Sequence, residues 1–234
     1  MAGFANGLAR ALSKRGFCSR AEARELIRAG KVRVNGRVVR EPDVAVKTEA
    51  KIEVDGPGEE RKEKVYVMLN KPRGLLTTTR DEHGRETVYE CFTGAKLPRI
   101  VAVGRLDKAS EGLLLFTNDN DWAARVSDPE SKVPKTYHVQ IDRVADAELI
   151  ARIKAGEEFP VREGRILRAG ERNSWIEIVL DEGKNRHIRQ LLDVFEIEVL
   201  RLVRIRIGSL ELGDLPKGKW RHLTAEEQRR IFTR

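Results

Sequence analysis

The stretch GRLDKASEGLLLFTND, residues 104–119, decides how the rest of the chain is read. Its apolar run Leu113–Phe116 is short, continuous and bounded by Gly112 and Asn118, the pattern of a buried strand. Ahead of that strand stands Asp107, two residues after Arg105, in a segment opened by Gly104. Gly and Asp punctuate loops, so one reading of Asp107 is a turn residue. The other is a reactive carboxylate on a loop anchored by a strand, a usual place for binding and catalytic groups. Arg105 and Asp107 are spaced to share a face if the chain there is extended.

Outward from this strand, VYVMLN, IVAV, YHVQI, SWIEIVL and VLRLVRIRIGSLEL read as further strands, several of them alternating. Helical patterns fall at about 120–127, 146–154 and 185–196. In the last, Ile188, Leu191, Leu192 and Phe195 share a face and Asn185 is placed to cap it. Many strands with few helices indicate an α+β fold with a larger, mainly antiparallel-sheet domain over residues 65–234.

Residues 1–55 have another character. In SRAEARELIRAG, Ser19 and Glu22 have capping-box spacing and Gly30 offers a stop. Ala23, Leu26 and Ile27 fall on one helical face, while Arg20, Arg24 and Arg28 form a separate cationic stripe that Lys31 extends. KVRVNGRVV alternates around Asn35-Gly36, the signature of a hairpin with a type I′ turn. A helix at about 7–15 adds Arg10 and Lys14, giving a small helix-helix-hairpin domain. Residues 56–64, glycine, proline and charge without apolar periodicity, read as a linker.

Charge follows the same division. The chain has 45 Lys and Arg against 37 Asp and Glu, a net charge of +8. Residues 1–40 hold ten basic residues and two Glu, which accounts for the whole excess. A basic module attached to an electrically balanced body points to a polyanionic partner, above all nucleic acid. Apolar runs of four or five residues are far short of a membrane span, which needs ~20. Cys18 and Cys91 form no CxxC pair, and His83, His138, His187 and His222 show no ligand spacing, so neither a metal site nor a disulfide framework is expected. The cysteine usage fits a reducing cytoplasm. The opening MAGFANGLARALSKRG is basic and free of acids, as in organelle transit peptides, but those residues also fit a helix of the first domain, which is the reading preferred.

Five segments occur in order: LNKPRGLLTTTRDEHGRETV (69–88), GRLDKASEGLLLFTND, KTYHVQI (135–141), EGKNRHIRQLL (182–192) and LVRIRIGSLELGDLPKGKWRHLT (202–224). Together they resemble the RsuA-type ribosomal-RNA pseudouridine synthases. Residues 7–55 resemble the alpha-L RNA-binding motif that often precedes that domain. Ser110 stands where the family usually has Thr, and His187 where Gln is common.

The resemblance implies isomerisation of uridine to pseudouridine in rRNA, more specifically of the large subunit, by a cytoplasmic monomer with no cofactor, metal or membrane. Its partner would be rRNA or a pre-ribosomal particle. By position Asp107 is the family's catalytic aspartate, Tyr137 its active-site tyrosine and Arg189 the cation paired with the aspartate. Arg105 would contact RNA near the vacated uridine, and Lys184 and Arg186 would join the RNA-binding set with Arg20, Arg24, Arg28 and Lys31. Lys71, Pro72 and Gly74 match the first motif, in a structural role. Asp107 and Glu111 do not read as a glycosidase pair, since four residues of separation is no evidence that they flank one bond. The rival from another class is a non-catalytic RNA-binding ribosome-assembly factor, which a missing aspartate would have favoured. An RNA or nucleoside glycosylase, releasing free uracil, is the rival enzyme.

Overall fold

The computed structural model describes residues 6–14, 17–18, 20–47, 49–55, 63–79, 81–182 and 186–233. They form an α+β structure in two compact units. One comprises the chain up to Lys64 with Asn118–Trp122, and the other Val65–Thr117 with Ala123–Arg234. The expected linker falls largely outside the described residues, as do Ser19, Lys184 and Asn185.

The first unit opens with β1 (Asn6–Gly7) and α1 (Leu8–Lys14), followed by α2 (Arg20–Arg28). The chain leaves α2 as the glycine signal predicts. Gly30 has φ +72°, its N–H donates to Ile27 O at 2.9 Å, and Lys31 N–H donates to Leu26 O at 3.0 Å. That pair of bonds around a left-handed residue is a Schellman cap. β2 (Val32–Val34) and β3 (Arg37–Val38) then pair antiparallel across Asn35 and Gly36, both at positive φ, as a type I′ turn requires. β4 (Ala45–Val46) returns to β1, and β5 (Ile52–Val54) adds a third strand beside β2. Leu8, Leu12, Ala23, Ile27 and Val32 are fully buried between helices and strands, which leaves Arg20, Arg24, Arg28 and Lys31 exposed.

The second unit is built on one nine-stranded sheet. Its strands are β6 (Tyr66–Lys71), β7 (Val101–Val103), β8 (Glu111–Thr117), β9 (Lys135–Ile141), β10 (Glu163–Ala169), β11 (Ser174–Leu180), β12 (Val199–Ile207), β13 (Leu210–Glu211) and β14 (Trp220–His222). The path runs β10-β11-β9-β12-β8-β6-β14, with β7 on β8 and β13 on β12. Every pairing is antiparallel except β12 with β8. Leu113–Phe116 is completely buried in β8. Among the described residues, the α-helices α4 (Ala147–Ala155), α5 (His187–Asp193) and α6 (Ala225–Arg230) accompany the strands, together with the part of α3 (Asn120–Ser127) that follows Trp122.

The elements differ from the sequence reading at identifiable points. α5 is shorter than the pattern over 185–196, because Glu196 takes φ +54° and Ile197 N–H turns back to Leu192 O at 3.0 Å. Its N-cap is Arg186, with left-handed backbone and no side-chain cap. β10 is not evident from the sequence because it is an edge strand with only Gly164 withdrawn from solvent, so no apolar alternation marks it. β14 and α6 also lie outside the sequence reading, although Thr224 and Glu227 form a complete capping box in front of α6.

The parallel contact of β8 with β12 depends on Gly112. It has φ +100°, and a Cβ there would lie 2.2 Å from the backbone oxygen of Arg204. Both strain and collision would have to be absorbed by sheet backbone, so Gly112→Ala should lower unfolding stability by about 2–4 kcal/mol. Urea denaturation measures this, and an unchanged midpoint would show that the two strands are free to separate.

Candidate active site

The segment between β7 and β8 carries Asp107. Gly104 makes the turn at φ +74°, and Leu106, 7 % exposed, anchors the loop in the core. The hydroxyl of Thr77 donates to Leu106 O at 2.7 Å and accepts from Leu106 N–H at 3.3 Å. Gly74 N–H donates to Lys108 O, and Ser110 N–H closes back on Asp107 O at 2.9 Å. From the end of β6, Lys71 reaches beneath the loop. Its ammonium donates to the carbonyls of Pro72 (3.1 Å), Asp107 (3.2 Å) and Ser110 (2.8 Å).

The Lys71 side chain is fully buried. Burial pushes its pKa down to about 8, against the opposing pull of Glu111, Asp107 and Cys91. The structural role expected of Lys71 is therefore specific: it holds the backbone on both sides of the Asp107 turn.

The Asp107 carboxylate is half-buried, and among the described residues no cation lies within the 4.0 Å of an ion pair. It opens on a cavity of about 390 Å³ that Arg105, Tyr137, Arg186 and His187 also line. Tyr137 projects from the middle of β9, 8 % exposed, paired across the sheet with Ile178 on one side and Arg204 on the other. Arg105 is exposed at the same opening.

Arg189 is placed differently from its expected pairing. On α5 it is half-buried and donates from Nη1 to Val199 O at 3.2 Å, with no ion pair to Asp107. Burial first, then Arg186 and Arg73, pull its pKa down, while the charge of Asp107 pulls it up. Arg189 therefore feels the carboxylate without touching it.

Glu111 is tied away from this chemistry. It is 2 % exposed and gripped by Arg201 through two bonds of 3.0 and 3.1 Å and by Lys217. Burial pushes its pKa up, but those two cations more than reverse the effect and hold it below the usual carboxylate range. In the first unit Arg24 pairs with Asp43 at 3.0 Å, so part of its charge is already matched within the protein. The sequence reading missed Arg204, a cavity-lining arginine 6 % exposed. The signal was present: in LVRIRI it shares parity with the buried Leu202.

Comparison with known proteins places the chain among its relatives. Residues 65–193 match the family model described as RNA pseudouridylate synthase, and residues 7–52 match that of the S4 domain. A protein of Bacillus subtilis named ribosomal large subunit pseudouridine synthase B is 35 % identical over 233 residues, covering 96 % of this chain and 94 % of its own. An uncharacterized RNA pseudouridine synthase of Rickettsia bellii is 39 % identical, covering 93 % of this chain and 96 % of its own. A solved structure described as a pseudouridylate synthase superposes with a TM-score of 0.68 at 25 % identity, covering 97 % of this chain and 99 % of that one. The chain, with its S4 domain ahead of a nine-stranded catalytic sheet, thus belongs to the RNA pseudouridine synthase family.

Proposed function

We propose that this synthase acts on ribosomal RNA, of the large subunit, and that Asp107, Tyr137 and Arg189 carry the reaction. The observation behind this reading is that a clamped loop and a central strand bring Asp107 and Tyr137 to one cavity of nucleotide scale, about 390 Å³. The large-subunit assignment is supported by the name of the Bacillus relative. Residues 1–55 serve as the RNA-binding domain, 56–64 as linker and 65–234 as catalytic domain. The enzyme works as a cytoplasmic monomer on rRNA or a pre-ribosomal particle.

The chemistry asks little beyond these side chains. The bond between N1 of uracil and C1′ of ribose breaks, the base turns, and C5 bonds to C1′. C5 loses its proton and N1 gains one, so oxidation state is unchanged and no cofactor takes part. A uridine stacked in the helix of an RNA cannot reach Asp107, so it is flipped into the cavity. The Asp107 carboxylate supplies the nucleophile, or the counter-charge, that loosens the glycosidic bond. Tyr137 offers a ring to stack on the base and a phenol oxygen to relay the C5 proton. Arg189, already within electrostatic reach, keeps the carboxylate ionised as the substrate displaces water. Arg105 and Arg186 at the cavity, with Arg20, Arg24, Arg28, Lys31 and Lys184, contact the RNA backbone. Lys184 does so from outside the described residues.

Three experiments bear on this reading. Asp107→Asn keeps the size and polarity of the side chain but removes its charge. Pseudouridine formation in an rRNA transcript should vanish, by more than about 10³-fold, with RNA affinity within about threefold; normal product yield would reject the assignment. Lys71→Met removes three hydrogen bonds to the Asp107 loop and leaves buried carbonyls unsatisfied. It should cost about 2–4 kcal/mol in thermal unfolding and slow single-turnover chemistry, whereas an unaltered rate would show that the loop holds its shape unaided. Deleting residues 1–60 should weaken rRNA binding and flatten its salt dependence, by roughly 0.7–0.9 in log–log slope for each phosphate no longer neutralised. Titration at several salt concentrations measures the slope, and an unchanged slope would place the RNA-binding cations elsewhere.

A further inference from the structure

Two cations on the inner wall of the cavity take no part in the mechanism above. Arg204 lies across from Tyr137 in the β9–β12 pairing, and Lys135 precedes Tyr137 by two residues on β9. Cross-strand partners and alternate residues share a face of a pleated sheet, so the three side chains stand together, and all three line the cavity. Arg204 is 6 % exposed. Its Nε donates to Leu113 O at 2.8 Å, but its Nη2 is buried and makes no hydrogen bond. Among the described residues neither cation has a carboxylate within 4.0 Å. Asp181, the acid whose charge Lys135 feels, is paired with Arg162 at 3.0 Å. Burial and the neighbouring Arg204 together pull Lys135 down to about 8.

A buried guanidinium N–H with no acceptor is costly, and two like charges on one wall add repulsion. Both penalties are relieved when a ligand brings negatively charged oxygens between them. A neutral uracil offers carbonyl oxygens but no charge to match two cations. A phosphodiester offers charged, non-bridging oxygens that suit both the arginine fork and the lysine point charge. The spacing also fits. Two residues along β9 advance about 6.6 Å, comparable to the separation between a nucleobase and the phosphate beside its sugar.

We infer that Arg204 and Lys135 form a phosphate subsite within the cavity, which takes a backbone phosphate adjoining the uridine held at Tyr137. This rests on the reading that the cavity receives a flipped uridine. The subsite would fix the nucleotide by its backbone, so that the sugar meets Asp107 in one orientation.

The test is to titrate the full chain with uridine and with uridine 3′,5′-bisphosphate, observed by NMR or calorimetry. The bisphosphate should bind at least about tenfold tighter, as expected of charge-assisted contacts. Most of that gain should disappear in Lys135→Gln and in Arg204→Gln, with uridine affinity changed by less than about twofold. A thermal melt checks each variant. Lys135, whose ammonium is in no ion pair among the described residues, decides the matter alone if Arg204→Gln does not fold. Equal binding of the two ligands, or a gain that survives Lys135→Gln, overturns the subsite. So does an equal loss of both ligands, which would assign the cations to the base. Pseudouridine formation by the unmodified enzyme is assayed in parallel. A wild type that gains from phosphate yet modifies no rRNA would refute the rRNA reading and not the subsite.

Discussion

The catalytic unit depends on one buried ammonium. Lys71 ends β6 with its side chain wholly withdrawn from water and donates to the carbonyls of Pro72, Asp107 and Ser110. A lysine in that position is expensive to desolvate, and its lowered pKa reflects the expense. What it secures is geometry. The Asp107 loop has no regular hydrogen-bond ladder, and Lys71 satisfies carbonyls on both sides of the turn at once. Thr77 and Gly74 add bonds from the same segment to Leu106 and Lys108. The carboxylate is thereby presented to the cavity from a backbone held at several points, the kind of support that the role proposed for Asp107 would need.

Other buried charges separate into two kinds. Glu111, beside this loop, is fully matched by Arg201 and Lys217 and belongs to the framework that joins β8 to β12. Asp107, Arg189, Lys135 and Arg204 are left without ion pairs among the described residues, although each is partly or wholly withdrawn from solvent. Three of these, Asp107, Lys135 and Arg204, line one cavity, and unmatched charge gathered in a cleft is the mark of a candidate functional site. In a framework role, each would have cost stability with no return.

The basic N-terminal unit works by a different physics. Its small core of Leu8, Leu12, Ala23, Ile27 and Val32 fixes α2 so that Arg20, Arg24 and Arg28 face solvent. Exposed cations bind phosphate through counterion release, a term that is insensitive to base sequence. On the function proposed above, holding RNA and choosing the uridine would be separable tasks, the first electrostatic and the second set by the shape and charge of the cavity.

The sequence by itself determined a great deal here. Alternating and continuous apolar runs marked most of the central strands, and the Asn35-Gly36 and Gly30 signals marked the hairpin and the end of α2, because each is a local preference of a few residues for one backbone state. The motif order identified Asp107, Tyr137 and Arg189 as the residues to watch. The exposed strand β10 and the shortened α5 were not legible, since an edge strand buries little and Glu196 is an unexpected residue for a left-handed turn. Tertiary structure alone decided what lies beside what. It put Lys71 under Asp107 across 36 residues of chain, left Arg189 on the Val199 carbonyl instead of on the aspartate, and set Arg204 against Leu113 across 91. Those contacts come from sheet order and from the close approach that Gly112 permits, and a one-dimensional pattern carries no record of either.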